Sequence, residues 1–402
     1  MPGIQGNIFR LYVIKTAKWF SLVMPIIVLF YKDNGLNMQE IFWLKSIYSV
    51  GVVAMEIPSG YFADVWGRKK TLVLGSILTA VGYFIYASTG SFPGFLFAEV
   101  ALGIGQSFIS GADSALLYDS LKELDEERKY LRFEGRITSY GNFAEAIAGV
   151  IGGWLAALSL RYPFVGQAFI AALAIPASLT LVEPSLVKKV GKPGFRDIVD
   201  VVHLALFRRR DLRTAILFSA LIGTTTLTFA WFVQPYFEAS RLPIHFFGVM
   251  WTALNLTVGV VSMFAYKIEA KLGQKHTMLS ILLLIGGSYL VVSQWISMWA
   301  FGVLFFFYMV RGVATPVLKN YINRIADSET RATVLSVRNF MIRIVFALIG
   351  PFLGWTTDQF SLGEALLFAG LFFLVAGSFV LGPFLRENKQ NGLKPEEIDV
   401  DK

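Results

Sequence analysis

The chain has 402 residues, 55% of them hydrophobic and only 16% Asp, Glu, Lys or Arg. A soluble domain carries about 25% charged residues, so that class is excluded. The net charge of +8 comes from positive residues set between apolar runs, which speaks for membrane orientation and against nucleic acid.

Taken in order, the predicted elements are twelve membrane-spanning helices. In lipid every backbone N–H and C=O needs an internal partner, so a run of ~20 apolar residues crossing ~30 Å must be helical. Runs and breakers place the spans at 7–31, 39–63, 71–89, 94–121, 134–159, 163–183, 212–238, 245–267, 276–294, 298–324, 332–358 and 363–385. Lys15 and Lys18 interrupt the first and no small-residue cleavage site follows it, so it is not read as a cleavable signal peptide. Short turns such as Asp33-Asn34-Gly35 and Arg241-Leu242-Pro243 join most spans.

One connection is long. It holds Pro184, Pro193, Gly194 and the run Arg208, Arg209, Arg210, with Ile198, Val201, Val202 and Ala205 on one face of an amphipathic piece. The chain therefore divides into a six-helix bundle at 1–183, a linker at 184–211, a second six-helix bundle at 212–386 and a tail at 387–402. With a cytoplasmic N-terminus, 25 of the 36 Lys and Arg fall inside and three outside, namely Lys32, Arg161 and Arg241. That asymmetry predicts an inner-membrane protein with both termini in the cytoplasm. The halves also repeat. Gly111, Leu117 and Asp119 align with Gly312, Leu318 and Asn320, and Gly149, Gly153 and Trp154 with Gly350, Gly354 and Trp355, all at an offset of 201 residues.

Between the second and third spans stands Gly60-Tyr-Phe-Ala-Asp64-Val-Trp-Gly67-Arg68-Lys69-Lys70. Gly60 permits close helix approach, Gly67 a tight turn, and Arg68 presents a planar fork to a carboxylate. This segment resembles the signature of the major facilitator superfamily, G-x-x-x-D-x-x-G-R-[RK], at every defined position. With the spans, linker and repeat, the resemblance covers nearly the whole chain. It implies an all-α membrane protein, twelve transmembrane helices in two pseudo-symmetric six-helix bundles, working as a secondary transporter by alternating access. It also implies a cytoplasmic latch of Gly60, Asp64, Gly67, Arg68 and Lys69, with Asp119 as the partner of Arg68. The second copy is degraded: Gly273-Gln-Lys-His follows an Ala270 where the first half has Asp64, so an asymmetric latch is expected. The glycine run from Gly149 to Gly153 resembles that of the family's antiporters without its proline.

Ionisable residues at membrane depth are costly and mark cavities or partners. Lys18, Glu145, Arg311 and Arg343 fall near the midplane, Asp113 somewhat toward the inner face, and Glu56, Lys319 and Arg338 nearer to it. The cation-rich set predicts a small-molecule solute with a carboxylate, phosphate or sulfonate, held by Lys18 and Arg311 with Arg343. The alternative is that these cations pair with Glu145 and Asp113. Glu145, Asp113 and Glu56 are the candidates for coupling to protons, and Trp231, Gln234, Tyr236 and Asn255 for stacking and polar contacts. No cofactor, metal site or catalytic group is expected. There is no cysteine and no G-x-x-x-x-G-K-[ST], H-E-x-x-H or G-x-S-x-G, and the three histidines lie far apart. The expected function is proton-coupled export of an organic amphiphile by a monomer in the lipid bilayer. Uptake of an anionic nutrient, or a transporter-like receptor or lipid scramblase, stays open.

Overall fold

The computed structural model describes residues 3–185, 209–327 and 330–387, together with His203. Most of the linker, including its amphipathic stretch, and the tail beyond 387 lie outside the described residues. The described part is helical. The first half contains α1 (Gly6–Trp19), α2 (Ile27–Asp33), α3 (Met38–Val65), α4 (Arg68–Ser88), α5 (Phe92–Glu123), α6 (Tyr130–Leu158) and α7 (Tyr162–Leu179). The second contains α8 (Arg210–Ala239), α9 (Phe247–Ser262), α10 (Ala265–Gln294), α11 (Phe301–Ile325), α12 (Arg331–Gln359) and α13 (Leu362–Glu387).

Among the described residues, ten helices are long and apolar enough to cross a membrane. An eleventh, α3, bends by 43° between Met38–Glu56 and Pro58–Val65. The missing N–H and the ring of Pro58 account for that bend. The twelfth expected span, 7–31, is not one helix. It is divided into α1 and α2 by a non-helical stretch at residues 20–26, which contains Pro25.

Irregular backbone at membrane depth survives only where the protein satisfies it. Two buried glutamines do so here. Gln167 of α7 accepts a hydrogen bond from the Leu22 N–H (2.8 Å). Gln234 of α8 accepts from the Val28 N–H (2.8 Å) and donates to the Met24 carbonyl (2.7 Å). The break in the first half is thus sealed partly by a helix of the second.

The loops following the second and eighth spans share a device. Gly67 and Gly273 both take left-handed backbone, with φ of 98° and 73°. Side-chain-bearing residues avoid that region, so glycine is needed at both turns. Gly273 divides α10 into a short leading piece and the span proper, in accord with the predicted start at 276.

We call the face carrying α1's start, the α3–α4 turn and α13's end the terminal face, and the opposite one the far face. The halves meet mainly along α3 with α12 and α6 with α9. The second contact is tight enough that a Cβ on Gly248 would stand 2.0 Å from the Gly149 carbonyl oxygen. At the far face the Asp358 carboxylate, at the end of α12, accepts from the Met38 and Gln39 N–H groups at the start of α3 (2.9 and 2.8 Å). A carboxylate at a helix N-terminus satisfies orphan donors and the positive end of the dipole. Lys32 and Glu238 form a further ion pair between the halves. The far face is therefore shut by bonds between the halves.

Replacing Gln234 with Leu strands the Val28 N–H and the Met24 carbonyl. At about 1–3 kcal/mol for each buried group left unpaired, Gln234→Leu lowers the thermal midpoint of the detergent-solubilised protein by several degrees. A midpoint equal to the parent's would mean that the break is not held by this side chain.

Candidate solute-binding site

The α3–α4 turn ties three helices together. Gly67 turns the chain so that the first N–H groups of α4, those of Arg68 and Lys69, donate to the carboxylate of Glu183 (2.8 and 2.7 Å). Arg68 pairs with Asp119 near the end of α5 and donates to the Ala115 carbonyl. Asp64 lies in the last turn of α3, and Gly60 sits across from Gly111 of α5. Glu183 is absent from the sequence-based set. Its signal was present, since it is the carboxylate that ends the predicted sixth span, 163–183.

Beside the break lies a cavity of about 210 Å³, whose wall includes Lys18, Lys45, Tyr48, Glu99, Gln106 and Trp231. Five of these come from the first half and Trp231 from α8. Lys45 and Glu99 are a buried ion pair. The same Glu99 oxygen also accepts from the hydroxyls of Tyr31 (2.7 Å) and Tyr86 (2.6 Å). The Lys45 ammonium stands 5.0 Å from the Tyr31 ring centre and 4.8 Å from that of Trp231, within cation–π range.

Lys15, one turn before Lys18, is differently placed. It pairs with Glu134 (2.7 Å) and Asp113 (3.7 Å) and donates to Ser114 (3.0 Å). Asp113 and Glu134 are thereby engaged. Lys18 has no carboxylate oxygen within 4.0 Å among the described residues. Of these three lysines it alone lacks an ion-pair partner, and it faces the cavity.

The structure brings only Lys18 and Trp231 of the expected solute contacts to this cavity. Arg311 of α11 lies over the Tyr308 ring (5.4 Å) and within electrostatic reach of Glu145 on α6. Arg343 of α12 influences Tyr48 and Glu56 from the other half, and Glu56 is exposed near Ser336. Gln234 is taken up by the broken backbone. Tyr236 is buried, its hydroxyl donating to the Trp295 carbonyl (2.6 Å). Asn255 donates to the Trp251 carbonyl within its own helix (2.9 Å). These polar groups are committed to backbone rather than to the cavity. Sequence reasoning overlooked Lys45, Glu99, Tyr48 and Gln106. The first two are ionisable groups a few residues inside spans 39–63 and 94–121, and the rule on charges at membrane depth applies to them.

The turn at Gly67, helices of spanning length and a polar cavity at a broken first span occur together in this chain. The family model of the Major Facilitator Superfamily matches residues 18–246. The chain belongs to the major facilitator superfamily. It is a multi-pass membrane protein of that superfamily. Among curated relatives it is similar to the quinolone resistance protein NorA of Staphylococcus aureus, 23% identical over 192 residues, 48% of this chain and 47% of that one. It is also similar to multidrug resistance protein 2 of Bacillus subtilis, 25% identical over 166 residues, 41% and 40% of the two chains. The matches span somewhat under half the length of these relatives. Among solved structures, the nucleoside transporter NupG has a TM-score of 0.75 at 14% identity, covering 95% of this chain and 99% of that one. A bacterial homolog of the human lysosomal transporter Spinster, inward-facing and unoccupied, also has 0.75 at 14%, covering 98% and 99%. At such identity these share this chain's fold.

The two cavity lysines respond differently to truncation. Lys45→Ala leaves the buried Glu99 carboxyl without its cation, a change of about 3–5 kcal/mol. Lys18→Ala strands no partner and falls within about 1 kcal/mol of the parent. Thermal unfolding of both variants in one detergent checks the order; equal losses would contradict the pairing described here.

Proposed function

We propose that this transporter exports an organic amphiphile bearing an acidic group, by proton-coupled alternating access. The observation that carries the reading is the cavity at the break. Lys18 offers an ammonium with no carboxylate oxygen within 4.0 Å among the described residues, Lys45 a second one shared with Glu99, and the rings of Trp231 and Tyr48 offer apolar surface. A carboxylate, phosphate or sulfonate on an aromatic body matches that set. The discontinuous α1 and α2 and the inter-half contact through α8 give the wall a means of changing shape when bundles 1–183 and 212–386 rock. Likeness to two proteins named for drug resistance supports export over uptake. The excess of Lys and Arg on the terminal face supports placing both termini in the cytoplasm.

Glu145 is the coupling carboxylate in this reading. It has no ion-pair partner within 4.0 Å among the described residues and faces Arg311 across the halves. Asp113 is engaged by Lys15, and Glu56 lies closer to the terminal face. A second reading, uptake of an anionic nutrient, is favoured by the surplus of positive charge around the cavity. A carboxylate moving together with a proton runs down an inward proton gradient.

Two measurements test this. In a thermostability screen, a ligand at 100 times its dissociation constant adds about 2.7 kcal/mol. Amphiphilic carboxylates are expected to stabilise the parent, and the response is lost in Lys18→Ala and reduced in Trp231→Ala. Cationic or neutral hits to which both variants respond fully would remove the anion site. In vesicles, Glu145→Gln is expected to bind the solute while losing accumulation driven by an imposed proton gradient. Undiminished accumulation would move the coupling elsewhere, and vesicle orientation distinguishes export from uptake.

A further inference from the structure

The two halves differ at one corner in a way that leaves room for an external anion. In the first half the corner between the α3–α4 turn and α5 carries its own carboxylates: Asp64 ends α3, and Asp119 neutralises Arg68. The left-handed Gly67 and Gly273 set the register of the second half, 206 residues on. There Ala270 stands for Asp64, and by the 201-residue repeat Asn320 stands for Asp119. Both replacements line a groove of about 810 Å³ between the leading piece of α10 and α11. Its other lining residues include Lys267, Lys271 and Arg324. None of these three cations has a carboxylate oxygen within 4.0 Å among the described residues. Glu269, also in the wall, accepts a hydrogen bond from Tyr321 (3.1 Å).

The rim identifies the environment. Met263, Phe264 and Tyr266 are 69%, 49% and 62% exposed. The Lys267 ammonium stands 5.9 Å from the Phe264 ring centre and 5.8 Å from that of Tyr266. Exposed aromatic rings beneath ammonium groups at a helix end mark the level of lipid headgroups, with rings toward the acyl chains and charges toward phosphate. A soluble anion has no use for that apolar rim, and the volume exceeds what a bare ion fills. We propose that this groove binds the phosphate-bearing head of an anionic phospholipid, which balances Lys267, Lys271 and Arg324.

The test uses the full chain purified in a neutral detergent, with thermal midpoint followed against short-chain phosphatidylglycerol, phosphatidylcholine of the same chain length, and inorganic phosphate. Phosphatidylglycerol is expected to raise the midpoint at concentrations where the other two do not. In the doubly substituted Lys271→Gln, Arg324→Gln protein the half-saturating concentration rises about tenfold or more. Asn320→Asp, which returns the first half's carboxylate, weakens the response similarly while leaving the lipid-free midpoint near the parent's. Arg128→Gln with Lys129→Gln, on the exposed short turn between α5 and α6, keeps the full response. An equal shift with phosphatidylcholine, a shift with inorganic phosphate alone, or an unchanged response in both groove variants would overturn the proposal.

Discussion

The structure turns on the requirement that backbone polar groups at membrane depth find partners inside the protein. Residues 20–26 leave the helix within the first span, and their N–H and C=O groups would otherwise face hydrocarbon. Gln167 and Gln234 meet that need from helices on opposite sides of the two-fold repeat. The solution has consequences. Gln234 and Trp231 are three residues apart on α8, hence on neighbouring positions of one face. The same turn of α8 therefore closes the break with one side chain and covers the Lys45 ammonium with the other. A movement of the second half relative to the first acts on both at once.

Around that point two lysines of the first half are paired with carboxylates. Lys15 holds Asp113 and Glu134. Lys45 holds Glu99, which two tyrosines also serve. Such pairs add little net stability, because desolvation cancels much of their attraction, but removing one member is expensive. They make the interior of the first half a rigid scaffold. Lys18 is set within it at the cavity wall, with no carboxylate oxygen within 4.0 Å among the described residues. Among Lys15, Lys18 and Lys45, that difference sets Lys18 apart at the cavity.

Much of the fold was legible because the bilayer imposes simple rules. Run length and composition locate eleven of the twelve spans, and the segment from Gly60 to Lys70 locates a turn in which Arg68 meets Asp119. The break was not legible. Residues 20–26 read Phe-Ser-Leu-Val-Met-Pro-Ile, as apolar as their neighbours, and only Pro25 hints at an interruption. Its remedy comes from glutamines more than 140 residues away, and no local pattern reports that. The polar residues of α8 were ambiguous for the same reason. Gln234 and Tyr236 are suited to a solute by type, but the backbone of the break and of α10's end had first claim on them. Lys45 and Glu99 lie six and five residues inside the predicted starts of spans 39–63 and 94–121, deep enough for the rule on charges at membrane depth to apply, but nothing in the sequence pairs them. Their burial becomes visible only when α3 and α5 are packed.

The account rests on the claim that the shut far face is one of two alternating states. The chain has no cysteine, so paired replacements Lys32→Cys and Glu238→Cys can be bridged across that face by a short bifunctional maleimide. Transport of the stabilising solute into or out of vesicles is then compared with that of the unbridged pair and of each single variant. The account predicts that bridging abolishes transport while the solute still raises the thermal midpoint. Transport at the unbridged rate after complete bridging would show that the far face does not open between the halves, and would contradict it.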